Sequence, residues 1–409
     1  MANTFNLGNG NWAQKTEKLL AYNAENNNYK PLPFDFDRGS TATRVNRDGL
    51  IETVATDEPR IDFLNNTKGH LLLEPSRQNR ITYSEDFSQW STSRIDTPYV
   101  ASITDPSGSL GAYTLEMSLG ETNGGGVYYS GISITGFNCF SVFAKKNTAD
   151  YLVLADTGTT SNAVYFNLSN GTVGTEYNAT GEIENFGNGW YRCTMKYNLT
   201  SSGLKFIYIS NIDGQTSNSV QGGDSIYIWG AQMEEGSYAT SYIPTQGETN
   251  GVTRLVDACY NNNLGNVIGQ TEGTFYIETI PLGSTTSFTE RIMQFEASGS
   301  DFITFQRYAN SNLTFYGTDG SNSWTIQGLN LFVGGETIKI AGAYKDNDIV
   351  LYVNGVQIGT NNTANAPQVD RMWFANNASG SLAYSGSHKE VKFYNTRLSN
   401  SELATLTTL

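Results

Sequence analysis

The feature that most constrains this chain is a two-residue alternation of apolar and polar side chains, repeated in many short runs. Phe140-Ser141-Val142-Phe143-Ala144-Lys145 and Lys205-Phe206-Ile207-Tyr208-Ile209 carry it. A period of two sends successive side chains to opposite faces of an extended strand, so one face meets a core and the other meets water. Turn signals such as Asn170-Gly171, Asn188-Gly189 and Asn354-Gly355 separate the runs. An Asn-Gly pair between alternating runs favours a tight hairpin, because both residues accept positive φ. With 42 glycines, 24 tyrosines and 20 phenylalanines, the composition suits an all-β protein of many short strands.

The alternation divides into two groups. About eight strand candidates fall in residues 81–245, which predicts a jelly-roll β-sandwich. Residues 246–272 are polar, with glycines at 247, 251 and 265, and read as a linker. A second sandwich is predicted over residues 273–409, with its clearest hairpins between 338 and 358. Ser399 with Glu402 three residues on predicts a capping box opening a short C-terminal helix. Residues 1–80 differ: apolar residues are sparse, and two of the nine prolines precede Glu58. This segment is expected to be extended and ordered by another chain or by trimer partners.

The net charge of −14 lacks the clustered lysine and arginine that grips phosphate backbones, so nucleic acid and anionic membrane are poor partners. No apolar stretch approaches the roughly 18 residues of a membrane span, and residues 1–12 lack the regions of a signal peptide. Cys139, Cys193 and Cys259 are widely spaced and odd in number, which predicts free thiols rather than a disulfide framework or zinc site.

Three segments carry a resemblance. Phe34-Asp35-Phe36-Asp37-Arg38-Gly39-Ser40-Thr41-Ala42-Thr43-Arg44-Val45-Asn46-Arg47-Asp48-Gly49-Leu50-Ile51-Glu52 is followed by Glu58-Pro59-Arg60-Ile61-Asp62-Phe63 and Leu71-Leu72-Leu73-Glu74-Pro75-Ser76-Arg77-Gln78-Asn79. Together they resemble a module near the N-termini of bacteriophage virion fibre and spike proteins of head-fibre or tail-fibre type. Such modules occur in phages of Bacteroidetes hosts, including crAss-like phages. Gly39 departs mildly, standing where the module often has alanine. Asn188-Gly189-Trp190-Tyr191-Arg192 and Ile228 to Pro244 resemble the closing strands of a carbohydrate-binding-module-like jelly roll. Residues 273–409, with Val353-Asn354-Gly355 and Val391-Lys392-Phe393-Tyr394-Asn395-Thr396-Arg397-Leu398, are similar to concanavalin A-like (laminin G-like) domains.

The resemblance implies a structural phage protein, made in the host bacterial cytoplasm and carried on the virion. The N-terminal segment would bind other virion proteins, the chain would form a homotrimer, and the sandwiches would hold host or mucosal glycan. A decoration or assembly protein of head, collar or tail that binds no sugar, and a surface-polysaccharide depolymerase, are the alternatives. Fold alone does not decide between them.

Catalytic chemistry has little support in the residues. His70 and His388 are the only histidines, and no nucleophile elbow, metal-protease, phosphate-loop or dinucleotide motif is present. No alternating carboxylate triplet of the glucanase type occurs in 273–409, so no catalytic residue and no cofactor is assigned. Asp301, Asp319 and Asp370 offer oxygen donors but lack calcium-loop spacing, so no metal is assigned either. Sugar binding asks for rings that stack on apolar sugar faces beside amides and carboxylates that bond hydroxyls. Trp324, in a polar Gly-Ser-Asn-Ser context, is the first candidate, with Tyr308 and Tyr316 behind it. Trp190 and Trp229, in the motif strands, are expected to be structural.

Overall fold

The computed structural model describes residues 5–15, 17–23, 28–132, 134–157, 162–199, 201, 203–283, 289–297, 301–308, 311–377 and 382–409. Among the described residues the chain is all-β apart from one 3-10 turn and the helix Asn400–Thr407. It separates into two compact units. One comprises residues 77–254 with 48–53, the other residues 1–47, 54–76 and 255–409.

The first unit is a sandwich of two six-stranded sheets. One sheet runs Ser91–Ser93, Gly126–Tyr129, Lys205–Ser210, Tyr151–Asp156, Asn162–Asn167, Thr172–Tyr177. The other runs Tyr99–Val100, Tyr113–Glu116, Ser225–Glu235, Gly136–Lys146, Trp190–Leu199, Thr180–Asn185. The alternation is realised side chain by side chain: Phe140, Val142 and Ala144 enter the core with Ile207, Ile209, Ile226 and Ile228. Phe143, out of phase with these, meets Trp229 and Tyr242 on the other face, where a register shift between Ser141 and Phe143 sets Trp229 opposite it. The closing motif is laced locally. Asn79 donates to the carbonyls of Ala231 (3.1 Å) and Ile243 (2.9 Å) and accepts from the Met233 amide (3.0 Å). Glu234 accepts from the Thr240 amide at 2.8 Å, and Trp190 Nε1 donates to the Thr104 carbonyl at 2.9 Å. Both tryptophans of that motif are buried.

The second unit is larger than its sequence pattern suggests, because residues of the N-terminal segment belong to it. Gly386–Tyr394 pairs along one edge with Glu272–Pro281. Along its other edge it pairs with Phe5–Gly8 and His70–Leu73. Beyond Glu272–Pro281 the sheet continues through Ile338–Lys345, Ile349–Val353 and Val356–Asn361. The facing sheet runs Ala13–Lys15, Lys18–Asn23, Asn28–Asp37, Ala258–Asn261, Arg371–Phe374, Glu290–Glu296, Asp301–Tyr308, Asn312–Asp319, Ser323–Gly328. Phe5, Leu19, Phe34, Phe36 and Leu71 share one core with Phe275, Phe295, Phe305 and Phe393.

Two expectations are therefore corrected. Residues 1–80 are not a separate extended anchor: their described strands are completed by the same chain, and their few apolar residues suffice because they finish an existing core. Residues 246–272 are not a plain linker, since Val252–Arg254 pairs with Arg77–Asn79 and Ala258–Asn261 lies between two strands of the larger sheet.

The N-terminal motif is explained by a buried charge cluster. Arg38 donates to Asp257 (3.1 Å) and to the carbonyls of Ala55 (2.6 Å) and Glu58 (3.0 Å). Arg60 is paired with Glu74 (2.8 Å) and with Asp257, and all four charged side chains are fully buried. Desolvation opposes the Arg60 charge, but Asp257 and Glu74 outweigh it and hold its pKa above the usual arginine value. Asp62 accepts the Val45 and Leu64 amides at 2.7 and 3.0 Å, while burial raises its pKa.

Asn354 (φ 48°) and Gly355 (φ 82°) adopt the positive φ values expected of the hairpin turn. Ser399 and Glu402 form the expected capping box. The three cysteines are free and buried.

Candidate glycan-contact face

The larger sheet of the second unit places one unbroken register row across eight strands. Lys18 lies opposite Asp35, then Tyr260, Trp373, Gln294, Thr304, Tyr316 and Thr325 in turn. Residues in register share a face. The adjacent row, Phe36, Cys259, Phe374, Met293, Phe305, Phe315 and Ile326, is the buried core side. The first row therefore lines the outer side. Seven steps of ~4.8 Å make it about 34 Å long.

Rings and hydrogen-bonding groups alternate over this face. Tyr260 and Trp373 stack at 4.4 Å and 24°. Trp373 Nε1 donates to Glu296 at 3.1 Å, and Gln294 donates to Glu296 at 2.7 Å. Burial, helped by a hydrogen bond to Asp37, pushes the Tyr260 pKa up to about 12, so the phenol keeps its proton. Further along, Phe302 and Tyr316 pack at 5.4 Å. The Arg291 guanidinium lies 5.3 Å from the Phe302 ring centre and donates to Gln306. Asp35 is held by Lys18. Half-buried rings beside amides and a carboxylate provide both stacking surfaces and directional partners for hydroxyl groups.

Of the three candidates, Tyr316 lies in this row and Tyr308 extends the same face at the strand end, 49% exposed. Trp324 does not belong to it. It is 5% exposed, packs edge-on to Phe315 at 4.8 Å, and occupies space that Gly317 leaves free. A Cβ on Gly317 would sit 2.3 Å from Trp324 Cζ2. The signal was present in the sequence, since Trp324 is in phase with the core residue Ile326. Phase also identifies Trp373, which is out of step with buried Met372 and Phe374. Tyr260 was hidden in the stretch read as linker.

Asp319 is occupied by the amides of Ser321 (3.0 Å) and Asn322 (2.7 Å), and Asp370 contacts Arg371 at 3.3 Å. Among the described residues no group of three His, Cys, Asp or Glu side chains is placed to hold a metal ion. His388 is buried in the core beside Tyr384, with no partner for either ring nitrogen among the described residues. A polar cleft of about 390 Å³ lies elsewhere on this unit, between Asn9, Lys68, His70, Glu278 and Lys389, but no Phe, Tyr or Trp lines it.

Comparison with known proteins gives the following. No curated protein matches the chain. Among solved structures, the carbohydrate-binding module CBM40 of Ruminococcus gnavus IT-sialidase, bound to alpha2,3 sialyllactose, is 17% identical. It covers 35% of this chain and 86% of its own, with a TM-score of 0.31. A leech intramolecular trans-sialidase is 16% identical over 34% of this chain and 24% of its own, TM-score 0.30. A SAP-like pentraxin from Limulus polyphemus is 14% identical over 34% and 70%, TM-score 0.28. Residues 274–404, the C-terminal strands of the second unit, match the family model of the concanavalin A-like lectin/glucanases superfamily.

Proposed function

We propose that this chain is a bacteriophage virion subunit of fibre or spike type whose second unit binds host or mucosal glycan through the outer face of its larger sheet. The observation that carries the glycan reading is the register row that brings the half-buried rings of Tyr260, Trp373 and Tyr316 to one face, beside the hydrogen-bonded pair Gln294–Glu296. The match of residues 274–404 to a lectin-containing superfamily supports it. The virion assignment rests on the resemblance carried by residues 34–79. Those residues are spent on the protein's own sheets and charge cluster, so contact with other virion proteins through them would use their folded surface. Binding rather than hydrolysis suits the face, because Glu296 is engaged by Trp373 and Gln294, and Asp35 by Lys18. Weak single sites would be raised to useful avidity by many copies, as in a homotrimeric fibre.

The test is a glycan-array screen of the full chain beside Trp373→Ala. Saturable binding that falls at least tenfold in the variant, with an unchanged melting profile, is the expected result. No binding on a broad array at concentrations where weak lectins register would transfer the assignment to a decoration or assembly protein. Light scattering of the purified chain checks the trimer, and a monomer at micromolar concentration would refute self-assembly.

A further inference from the structure

The centre of the face holds a cation without an anion. Arg291, second in its strand, stands at a register shift, and its side chain reaches both Gln306 and the Phe302 ring. It therefore lies along the sheet in the neighbourhood of Thr304, which sits between those two residues in sequence and is fully buried. Gln306 gives it a neutral acceptor, and among the described residues no carboxylate lies within ion-pair distance of it. Its Nε has no partner among the described residues either. Arg291 is half-buried, and the fully buried arginines of this unit are treated differently: Arg38 and Arg60 share Asp257, and Arg307 is paired with Glu290. Partial desolvation disfavours the Arg291 charge and lowers its pKa. A guanidinium removed from water is stabilised by an anion with two acceptor oxygens, which its fork of donors matches. The flanking rings Phe302 and Tyr316 offer apolar surfaces next to that position.

We propose that Arg291 is the specificity-determining residue of this face, receiving the anionic group of an acidic sugar whose ring lies against Phe302 and Tyr316. The inference rests on the glycan reading above and narrows it to carboxylated or sulfated saccharides. Gln306 positions the guanidinium, and the Glu296 carboxylate held by Gln294, on the same strand as Arg291, is the acceptor for neighbouring hydroxyls. The rest of the row, toward Trp373 and Tyr260, would carry adjoining sugars through stacking.

The experiment is calorimetric titration of the full chain with four probes: 3′-sialyllactose, a hyaluronan tetrasaccharide, a sulfated chondroitin tetrasaccharide and neutral cellotetraose. Arg291→Gln, Arg291→Lys and Trp373→Ala are titrated in parallel, each checked for an unchanged melting temperature. The expected result is preference for an acidic probe over cellotetraose. Arg291→Gln should lose about 10–100-fold for that probe and change little for the neutral one, since a charge-assisted hydrogen bond contributes that order. Arg291→Lys should recover part of the loss, and higher salt should weaken binding. Which probe binds separates carboxylate from sulfate as the anion. If cellotetraose binds as well as the acidic probes, and Trp373→Ala removes binding while Arg291→Gln does not, the acidic class is overturned and the face survives. If neither variant affects the binding of any probe, the face itself is refuted.

Discussion

Asp257 holds two buried arginines at once, and removing its charge should be among the most damaging single changes in the chain. Its Oδ1 faces Arg38 at 3.1 Å, its Oδ2 faces Arg60, and Oδ2 also accepts the Glu74 amide at 2.8 Å. In Asp257→Asn the shape is kept, but two guanidinium groups with fully buried side chains are left with Glu74 as the one carboxylate of the cluster. Breaking a buried pair while leaving its partner costs about 3–5 kcal/mol. For a unit of this size each kcal/mol shifts the melting temperature by about 2–4 °C, so the transition should fall by roughly 6–20 °C. Asp348→Asn is the control. It removes an ion pair to Arg397 whose carboxylate is 50% exposed, and such pairs contribute about 0–1 kcal/mol. Differential scanning calorimetry at pH 7 reads both. If Asp257→Asn moves the transition no further than Asp348→Asn, the cluster does not stabilise the unit as argued. A second arm uses Arg38→Met with Asp257→Asn, which should recover part of the loss because one uncompensated charge has gone.

Other outcomes follow from the same geometry. Trp324→Ala should destabilise the second unit by about 3–5 kcal/mol in chemical denaturation, through loss of a core ring, while any glycan affinity of the folded protein stays within twofold. The three thiols should resist a thiol reagent in the native protein and react on unfolding, since burial raises each pKa. Burial holds His388 at a pKa of about 3 and His70 at about 4. The unfolded chain therefore binds protons that the native one refuses, and stability falls as pH drops from about 6.5 toward those values. Denaturation midpoints between pH 7 and 4 should decline less steeply in His388→Phe. An unchanged slope would refute the assignment.

The strands were legible because period and burial agree in them. Phe140, Val142 and Ala144, or Ile338 and Ile340, enter a core in the phase that their spacing predicts. The role of residues 1–80 was not legible, because strand pairing over more than 380 positions leaves no local trace: nothing in Phe5-Asn6-Leu7-Gly8 points to Phe393. The motif residues Arg38, Arg60 and Glu74 were visible as a pattern, yet their meaning depends on Asp257, far along the chain. The candidate face was half visible. Tyr308 and Tyr316 share the outer face, whereas the polar neighbours of Trp324 in the sequence do not make it exposed. Strand phase, and not neighbour polarity, decides which way a ring points.

The pairing of Phe5–Gly8 with Gly386–Tyr394 also orders events in time. On a ribosome the N-terminal strands emerge first but cannot close their core until the last strands arrive, several hundred residues later. The unit built mainly from residues 77–254 has nearly all of its partners in hand well before that. At 5–20 residues per second, roughly twenty seconds or more separate the two ends. Through that interval the early strands, rich in unpaired edge and phenylalanine, are the part of the nascent chain most in need of shelter, and any message truncated before residue 386 would leave them permanently without it.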